Sequence, residues 1–478
     1  MQAVNKKRKR ISYILPIAIL AFLFFTYTCS FAEEIDSDRV LETGLKNNNV
    51  LQEKKDYIKA LKRERGILEA GVDWYLGING NYLYSSEKMD SNFKIIDSGD
   101  ISSLVLEGGK NTAKGFSINF QLSLTDEGVF QFKDPEDKYR FRLDLSKRLY
   151  PLVPTETEKK FILVDNDLII AEADLAYSRK SKEIEWLESY LNILSLQERL
   201  KYSEERYQLA LANLKKVREE QLIAEAGKAQ LLMAEITMRE ALLQKKQIEN
   251  SFVQANAKLI LETGVEGDIA YNENSQYLSN FSRRMDTINI ELSDDEIEGL
   301  LKKNNVQLRQ IMFNKDYAEN ELKWQSKEDN IKVDGFGRYN YDAVYPDDFK
   351  DYWEVGLGFS YDFYDGGRQK LAMENIRAKI EGLEEKYEHT LKELKLQLDV
   401  LMNQYRLDLM NLETKEISME KARLEKELYK EQYSKGLISE AQYKELDINL
   451  KEAELAYKEA GDKVLFDKAR IALFLGLF

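Results

Sequence analysis

Hydrophobic and polar residues alternate along several short stretches of this chain and follow a helical period along others. Trp353, Val355, Leu357, Phe359, Tyr361 and Phe363 take every second position, against Glu354, Gly356, Gly358, Ser360, Asp362 and Tyr364. Successive side chains of a strand point to opposite faces, so this period predicts a strand with one aromatic and aliphatic face and one small or polar face. Residues 74–84 and 139–149 read the same way, and residues 333–341 more weakly. Another alternating run sets Phe116, Ile118, Phe120, Leu122 and Leu124 against Ser117, Asn119, Gln121 and Ser123.

Two other stretches keep the helical period. Residues 155–262 contain no proline and one glycine, Gly227, and residues 368–475 contain no proline. Both are rich in Leu, Ala, Glu, Lys and Gln. Apolar residues recur at spacings of three and four, as in Leu187, Tyr190, Leu191 and Leu194, or Leu394, Leu398, Leu401 and Tyr405. The pattern predicts long amphipathic helices. Arms of about 40 to 70 residues reach about 60 to 105 Å, longer than a globular domain, so they must pack as coiled coils.

The chain is written twice. Residues 45–50 recur at 301–306 with an offset of 256, and Tyr82 and Tyr84 match Tyr339 and Tyr341 at 257. Ser146 and Tyr150 match Ser360 and Tyr364 at 214, and Ala229-Gln230 matches Ala441-Gln442 at 212. Each half then reads helix, strand, loop, strand, helix, turn, helix: a first repeat over 33–262, a linker over 263–293 and a second repeat over 294–478. The first copy holds about 42 extra residues within 85–138, which read either as added barrel strands or, the favoured expectation, as a hairpin in an external loop. Pro151 and Pro154 stand where Gly366 and Gly367 stand in the second copy, and both pairs would stop a strand and let the chain bend into a helix.

Residues 6–10 are all basic, residues 11–25 are apolar, and Ser30 and Ala32 place small residues at −3 and −1 of a cut, so residues 1–32 read as a signal peptide. Cys29 has a poor context for acylation. Removing this leader takes five bases and no acid, leaving 65 bases against 84 acids, a net charge of −19. That balance opposes nucleic-acid binding. The leader also holds the only cysteine, so the exported part relies on no disulfide. A mean hydropathy of −0.51 excludes a multi-helix membrane protein. It leaves room for a transmembrane β-barrel, whose strands hide half their residues from lipid. Two strand pairs per chain cannot close a barrel of useful bore, so several chains must share one, and threefold symmetry gives twelve strands.

In this context the sequence resembles the TolC-like outer membrane factors, the exit ducts of efflux pumps and type I secretion systems. The resemblance rests on three features. One is the paired helix starts Asn48-Asn49-Val50 and Asn304-Asn305-Val306, where the family usually shows Asn-Asn-Pro. Another is residues 355–368, ending Asp365-Gly366-Gly367-Arg368. The third is Tyr433-Ser434-Lys435-Gly436-Leu437-Ile438-Ser439 before the last helix. The resemblance implies an α+β membrane protein, in which a long α-helical coiled-coil periplasmic barrel joins a trimeric 12-stranded β-barrel. It also implies that residues 263–293 form an equatorial segment. The implied partners are two further copies, a periplasmic membrane-fusion adaptor, a proton-driven or ABC inner-membrane transporter, and outer-membrane lipid. No cofactor or metal is expected.

By the same resemblance, Gly436, Leu437 and Ser439 face the adaptor, with Leu222, Ile223 and Gly227 as their counterparts in the first hairpin. Tyr433 matches the gate tyrosine and Glu445 one of two gate acids. The second acidic position is Gln442, so Glu440 or Asp447 would have to supply that charge. An enzyme is not expected: one histidine, His389 on a charged helix face, and one cysteine leave little for imidazole or thiol chemistry. The competing reading is a non-transporting periplasmic coiled coil that spaces or adheres membranes. Such a protein needs no alternating strands.

Overall fold

Asparagine, serine and threonine side chains cap several of the helices where they begin. The computed structural model describes residues 35–85, 99–126, 138–223, 226–267, 275–328, 331–344 and 348–478; the expected leader, Cys29, Pro135 and Pro346 lie outside them. Helix α1 (Ser37–Asn47) is followed directly by α2 (Asn49–Gly71), and α6 (Asp294–Asn304) by α7 (Val306–Glu328). At both junctions an asparagine oxygen accepts from the backbone three residues on: Leu51 N–H to Asn48 at 3.2 Å and Leu308 N–H to Asn305 at 3.0 Å. Each Asn-Asn-Val motif therefore supplies an N-cap, from its first asparagine in one copy and its second in the other, and each satisfies one orphan donor of its helix.

The two proline-free stretches each break once. The first becomes α3 (Glu156–Leu222) and α4 (Lys228–Thr263), the second α8 (Arg368–Ser434) and α9 (Glu440–Phe474). Both α3 and α8 are 67 residues long. The linker over 263–293 contains α5 (Gln276–Thr287) among its described residues.

The chain forms two compact units. One gathers residues up to Glu53, Ala176–Ile297 and Lys395–Phe478. Its core holds Trp186, Tyr190, Leu187 and Phe466, all fully buried. Phe281 of α5 packs on Phe466 and Phe478 at 5.8 and 5.9 Å between ring centroids. Ion pairs join the helices of this unit in series. Lys245 of α4 meets Glu204 of α3. Arg206 of α3 meets Glu452 of α9 at 2.7 Å, and Lys463 of α9 meets Asp408 of α8 at 2.8 Å. The spatial order is α4, α3, α9, α8.

The second unit gathers Lys54–Leu175 and Glu298–Leu394. Ile58 and Leu61 of α2 bury against Ala171 of α3. Arg65 pairs with Asp165 at 2.7 Å, Asn166 of α3 donates to Gln310 of α7 at 3.4 Å, and Lys315 of α7 pairs with Glu384 of α8 at 2.8 Å. Here the helices are linked in the order α2, α3, α7, α8.

The same unit carries one antiparallel sheet of six strands in the order β1 to β6: β1 (Trp74–Ser85), β2 (Gly99–Asn111), β3 (Phe116–Asp126), β4 (Lys138–Tyr150), β5 (Lys332–Val344) and β6 (Asp348–Ser360). This corrects two expectations. The block within 85–138 is not only a loop: it contributes β2 and β3, which separate β1 from β4. Each chain thus offers six strands, whereas a threefold 12-stranded barrel uses four. The physical reason is backbone pairing, since β2 bonds to β1 and β3 to β4 along their lengths.

Candidate functional site

The sheet has two chemically different faces, and register aligns their central rows across all six strands. One cross-strand row runs Leu76, Gly108, Phe120, Leu143, Tyr339, Trp353. A β-carbon at Gly108 would lie 2.5 Å from the Phe120 ring, so the aromatic occupies the space that glycine leaves. Most of this apolar face is uncovered: Leu76, Ile78, Trp353, Val355 and Phe359 are all exposed. An apolar surface of this extent marks an interaction site with lipid or protein.

The adjacent row, on the opposite face, runs Tyr75, Gly109, Asn119, Asp144, Arg338, Glu354. Arg338 bridges Asp144 at 2.7 Å and Glu354 at 2.6 Å, and Tyr75 donates to Asn119 at 3.3 Å. Nearby, Arg140 pairs with Asp342 at 2.6 Å, Arg142 with Asp144 at 2.7 Å, and Arg148 with Asp334. The polar face is a zwitterionic ladder over β4 to β6 and an amide and hydroxyl surface over β1 to β3. The alternation flagged these residues as polar, but only register shows that their opposite charges meet.

The junctions below the sheet use the expected residues. Pro151 and Pro154 stand between β4 and α3, and Gly366 and Gly367 between β6 and α8. Both glycines have positive φ, +72° and +84°, where a β-carbon is strained. Asp365 accepts from the N–H groups of Gly367 at 2.8 Å and Gln369 at 2.7 Å, and so caps α8. Thr155 caps α3 by accepting from Glu158 N–H at 3.1 Å, and its hydroxyl also donates to the Ala113 carbonyl in the β2–β3 turn.

At the far end of the second hairpin, Gly436 takes φ +72°. Its N–H donates to Tyr433 O at 2.9 Å, and Leu437 N–H donates to Gln432 O at 2.9 Å. This is a Schellman ending, which requires the left-handed residue that glycine supplies. Leu437 is 70% exposed, so it does not close the motif by packing back on its own helix. Ser439 then caps α9: Gln442 N–H donates to its oxygen at 3.3 Å, while Ser439 N–H donates to Gln442 Oε1 at 2.9 Å. Gln442 thus serves a capping box. Its departure from a gate acid has a local structural role that the Ser-x-x-Gln spacing could have disclosed.

Gly227 has φ −80° and stands where Ser439 stands, not where Gly436 stands. Gln230 Oε1 accepts from Gly227 N–H at 2.9 Å, as Gln442 does from Ser439. Leu222 and Ile223 are exposed, Leu222 at 84%.

The five expected gate residues divide by pairing. Asp447 accepts from Lys426 at 2.5 Å and from Lys451 at 2.9 Å, and these lysines hold its carboxyl below the usual carboxylate range. Glu440 is held low by Lys444, 2.7 Å away. Gln442 is engaged in the cap. Glu445 is exposed and stands outside these pairs, and Tyr433 stacks on Tyr443. The two lysines that neutralise Asp447 were not singled out from sequence.

A groove of about 630 Å³ between α3, α4 and α9 is lined by Ser195, Arg199, Glu459 and Asp462, among others. Burial pushes Asp462 up to about 6. Burial also pushes Asp467 up to about 6, helped by its contact with Asp408, which Lys463 and Gln404 keep low against its own burial. Among the described residues there is no metal-binding cluster and no helix long and apolar enough to cross a membrane.

No protein-family model and no curated protein matches the chain. Solved structures do. The CmeC outer membrane channel of Campylobacter jejuni aligns at a TM-score of 0.61 with 12% identity, covering 92% of this chain and 85% of that one. The fold is that of an outer membrane channel. The outer membrane protein VceC of Vibrio cholerae shares the channel fold at a TM-score of 0.59, with 12% identity over 92% of this chain and 96% of its own. The MtrE outer membrane channel of Neisseria gonorrhoeae, in its open state, shares it at 0.57, with 12% identity over 92% and 88%.

Proposed function

We propose that the protein is the outer-membrane exit duct of a tripartite efflux pump or type I secretion system, assembled from three copies. The observation that carries this reading is the sheet: one face is apolar and uncovered, the other polar, and both edges, β1 and β6, are open. Lipid admits strands only in a closed barrel, so this sheet must be completed by other copies. The apolar face meets acyl chains and the ladder of Arg338, Asp144 and Glu354 meets water in the pore.

The helices support sharing independently. In the serial order α4, α3, α9, α8, the outer helices carry exposed apolar seams at heptad spacing. On α8 these are Leu396, Met410, Ile417 and Leu424 with Val400, Leu407 and Leu428; on α4 they are Met233, Ile236 and Leu243. Such seams call for partner helices. Setting α8 of one copy on α4 of the next closes a periplasmic tunnel. The turn at Gly436 and Leu437, with Leu222 and Ile223 beside it, offers the adaptor a solvent-facing contact, and Glu445 supplies free negative charge near Tyr433. The protein conducts cargo passively between an inner-membrane transporter and the exterior, with no catalytic step.

The test is an export assay with Leu437→Glu and Gly436→Trp. Both should abolish efflux or secretion while the oligomer survives, because these residues contact a partner. Loss of the oligomer itself would assign them to folding. A purified protein that stays soluble and monomeric without detergent would favour the coiled-coil spacer instead.

A further inference from the structure

The β2–β3 hairpin sits in the middle of the sheet. It is inserted between β1 and β4, and every strand-to-strand bond between them passes through it. In its central rows its side chains continue both faces: Phe120 lies in the apolar row between Leu76 and Leu143, and Asn119 in the polar row between Tyr75 and Asp144. A hairpin standing outside the membrane would have no reason to keep the apolar phase of its neighbours.

Length agrees. β2 and β3 have 13 and 11 residues, as long as the strands beside them. At about 3.3 Å per residue and a tilt of about 40°, they span about 30 Å, the thickness of a hydrocarbon core. The Thr155 hydroxyl at the start of α3 ties the turn of the hairpin to the helical side of the sheet.

The arc that each layer occupies supplies the remaining argument. Within one unit, four helices linked as α2, α3, α7, α8 adjoin a sheet of six strands, of which β1, β4, β5 and β6 enter or leave them. Four helices packed 8–10 Å apart take about 32–40 Å of circumference. Six strands about 4.8 Å apart and tilted by about 40° take about 38 Å, whereas four take only about 25 Å. Six strands match the width of the helical row and four do not.

We propose that the hairpin is part of the membrane wall, and that three chains therefore close an eighteen-stranded barrel as wide as the helical tunnel beneath it. This rests on the reading of the chain as a shared outer-membrane channel. Its backbone-to-backbone diameter is about 36 Å, against about 24 Å for twelve strands. The barrel does not narrow the path, so it admits solutes as bulky as a helical hairpin of polypeptide, about 20 Å across.

The test images the wild-type protein in lipid nanodiscs along the barrel axis, beside a variant in which a short turn replaces residues 86–137. The wild type should show a threefold ring of about 36 Å and the variant one of about 24 Å. A threefold wild-type ring of about 24 Å would overturn the wide barrel and leave the channel reading intact. A particle with no ring, free of lipid, would overturn the channel reading itself. A second measurement does not depend on the deletion folding: a fluorophore on Leu122→Cys, in a Cys29→Ser background, should be quenched by spin-labelled acyl chains and not by aqueous iodide. Quenching by iodide alone would place the hairpin outside the membrane and refute the proposal.

Discussion

Tyr433, the last residue but one of α8, lies flat on Tyr443 of α9, with ring centroids 4.9 Å apart and planes 7° from parallel. The stack crosses the hairpin just behind the Gly436 turn and joins the two helices where the coiled coil ends. Replacing Tyr433 with alanine should remove about 0.5–1.5 kcal/mol of ring interaction beyond its apolar burial. Amide exchange over residues 426–447 should then speed up while the sheet keeps its protection. Unchanged exchange at the tip would show that the stack does not hold it.

Gly436 and Leu437 are adjacent but should behave differently. Alanine at Gly436 would force a β-carbon into φ +72°, a strain of about 1–2 kcal/mol. Local protection at the turn should fall accordingly. Leu437→Glu changes an exposed side chain and should leave thermal unfolding within about 0.5 kcal/mol of the wild type, even though export is lost.

The apolar seam of α8 should govern assembly without governing the protomer. Ile417→Asp combined with Leu424→Asp places charge on a face that is open within one chain. Size-exclusion chromatography in detergent should show monomers, with helical circular dichroism retained. Trimers that persist would show that the seam does not pack between copies.

Asp462 gives a pH signature. Its folded carboxyl titrates at about 6 because of burial, opposed by Lys458 and reinforced by Glu459, against about 3.9 when unfolded. The folded state holds this proton more tightly, so the contribution is full below the unfolded value and is lost as pH rises through the folded value. Asp467, also at about 6, adds in the same direction. Asp462→Asn should stabilise the protein at pH ~7 by about 2–3 kcal/mol. It should also flatten part of the fall in stability between pH ~4 and ~6, as followed by thermal unfolding. An unchanged profile would show that the site is solvated in the assembly.

Much of the architecture was legible because two periods stand apart. Residues 353–363 keep strict alternation, and the proline-free stretches keep the spacing of threes and fours. β2 was harder to read. Leu104, Val105 and Leu106 are consecutive, so Val105 falls on the polar face, and Gly108-Gly109 interrupts the remaining pattern. Only its pairing to β1 and β3 reveals it as a strand of the sheet. At the tip, the Schellman glycine and the exposed leucine are visible as a Lys-Gly-Leu turn. The pairing of Asp447 is not, because Lys426 lies 21 residues away on the other helix. The seam on α8 was obscured because the helix has two apolar faces, one buried in its own chain and one exposed.

The central claim is that this chain builds a water-filled pore through a membrane. It is tested most directly by adding the detergent-purified protein to one side of a planar lipid bilayer and recording single-channel current. The account predicts discrete, long-lived conductance steps that are larger for Tyr433→Ala, whose tip is loosened. A protein that yields no steps and stays in the aqueous phase without detergent would contradict it.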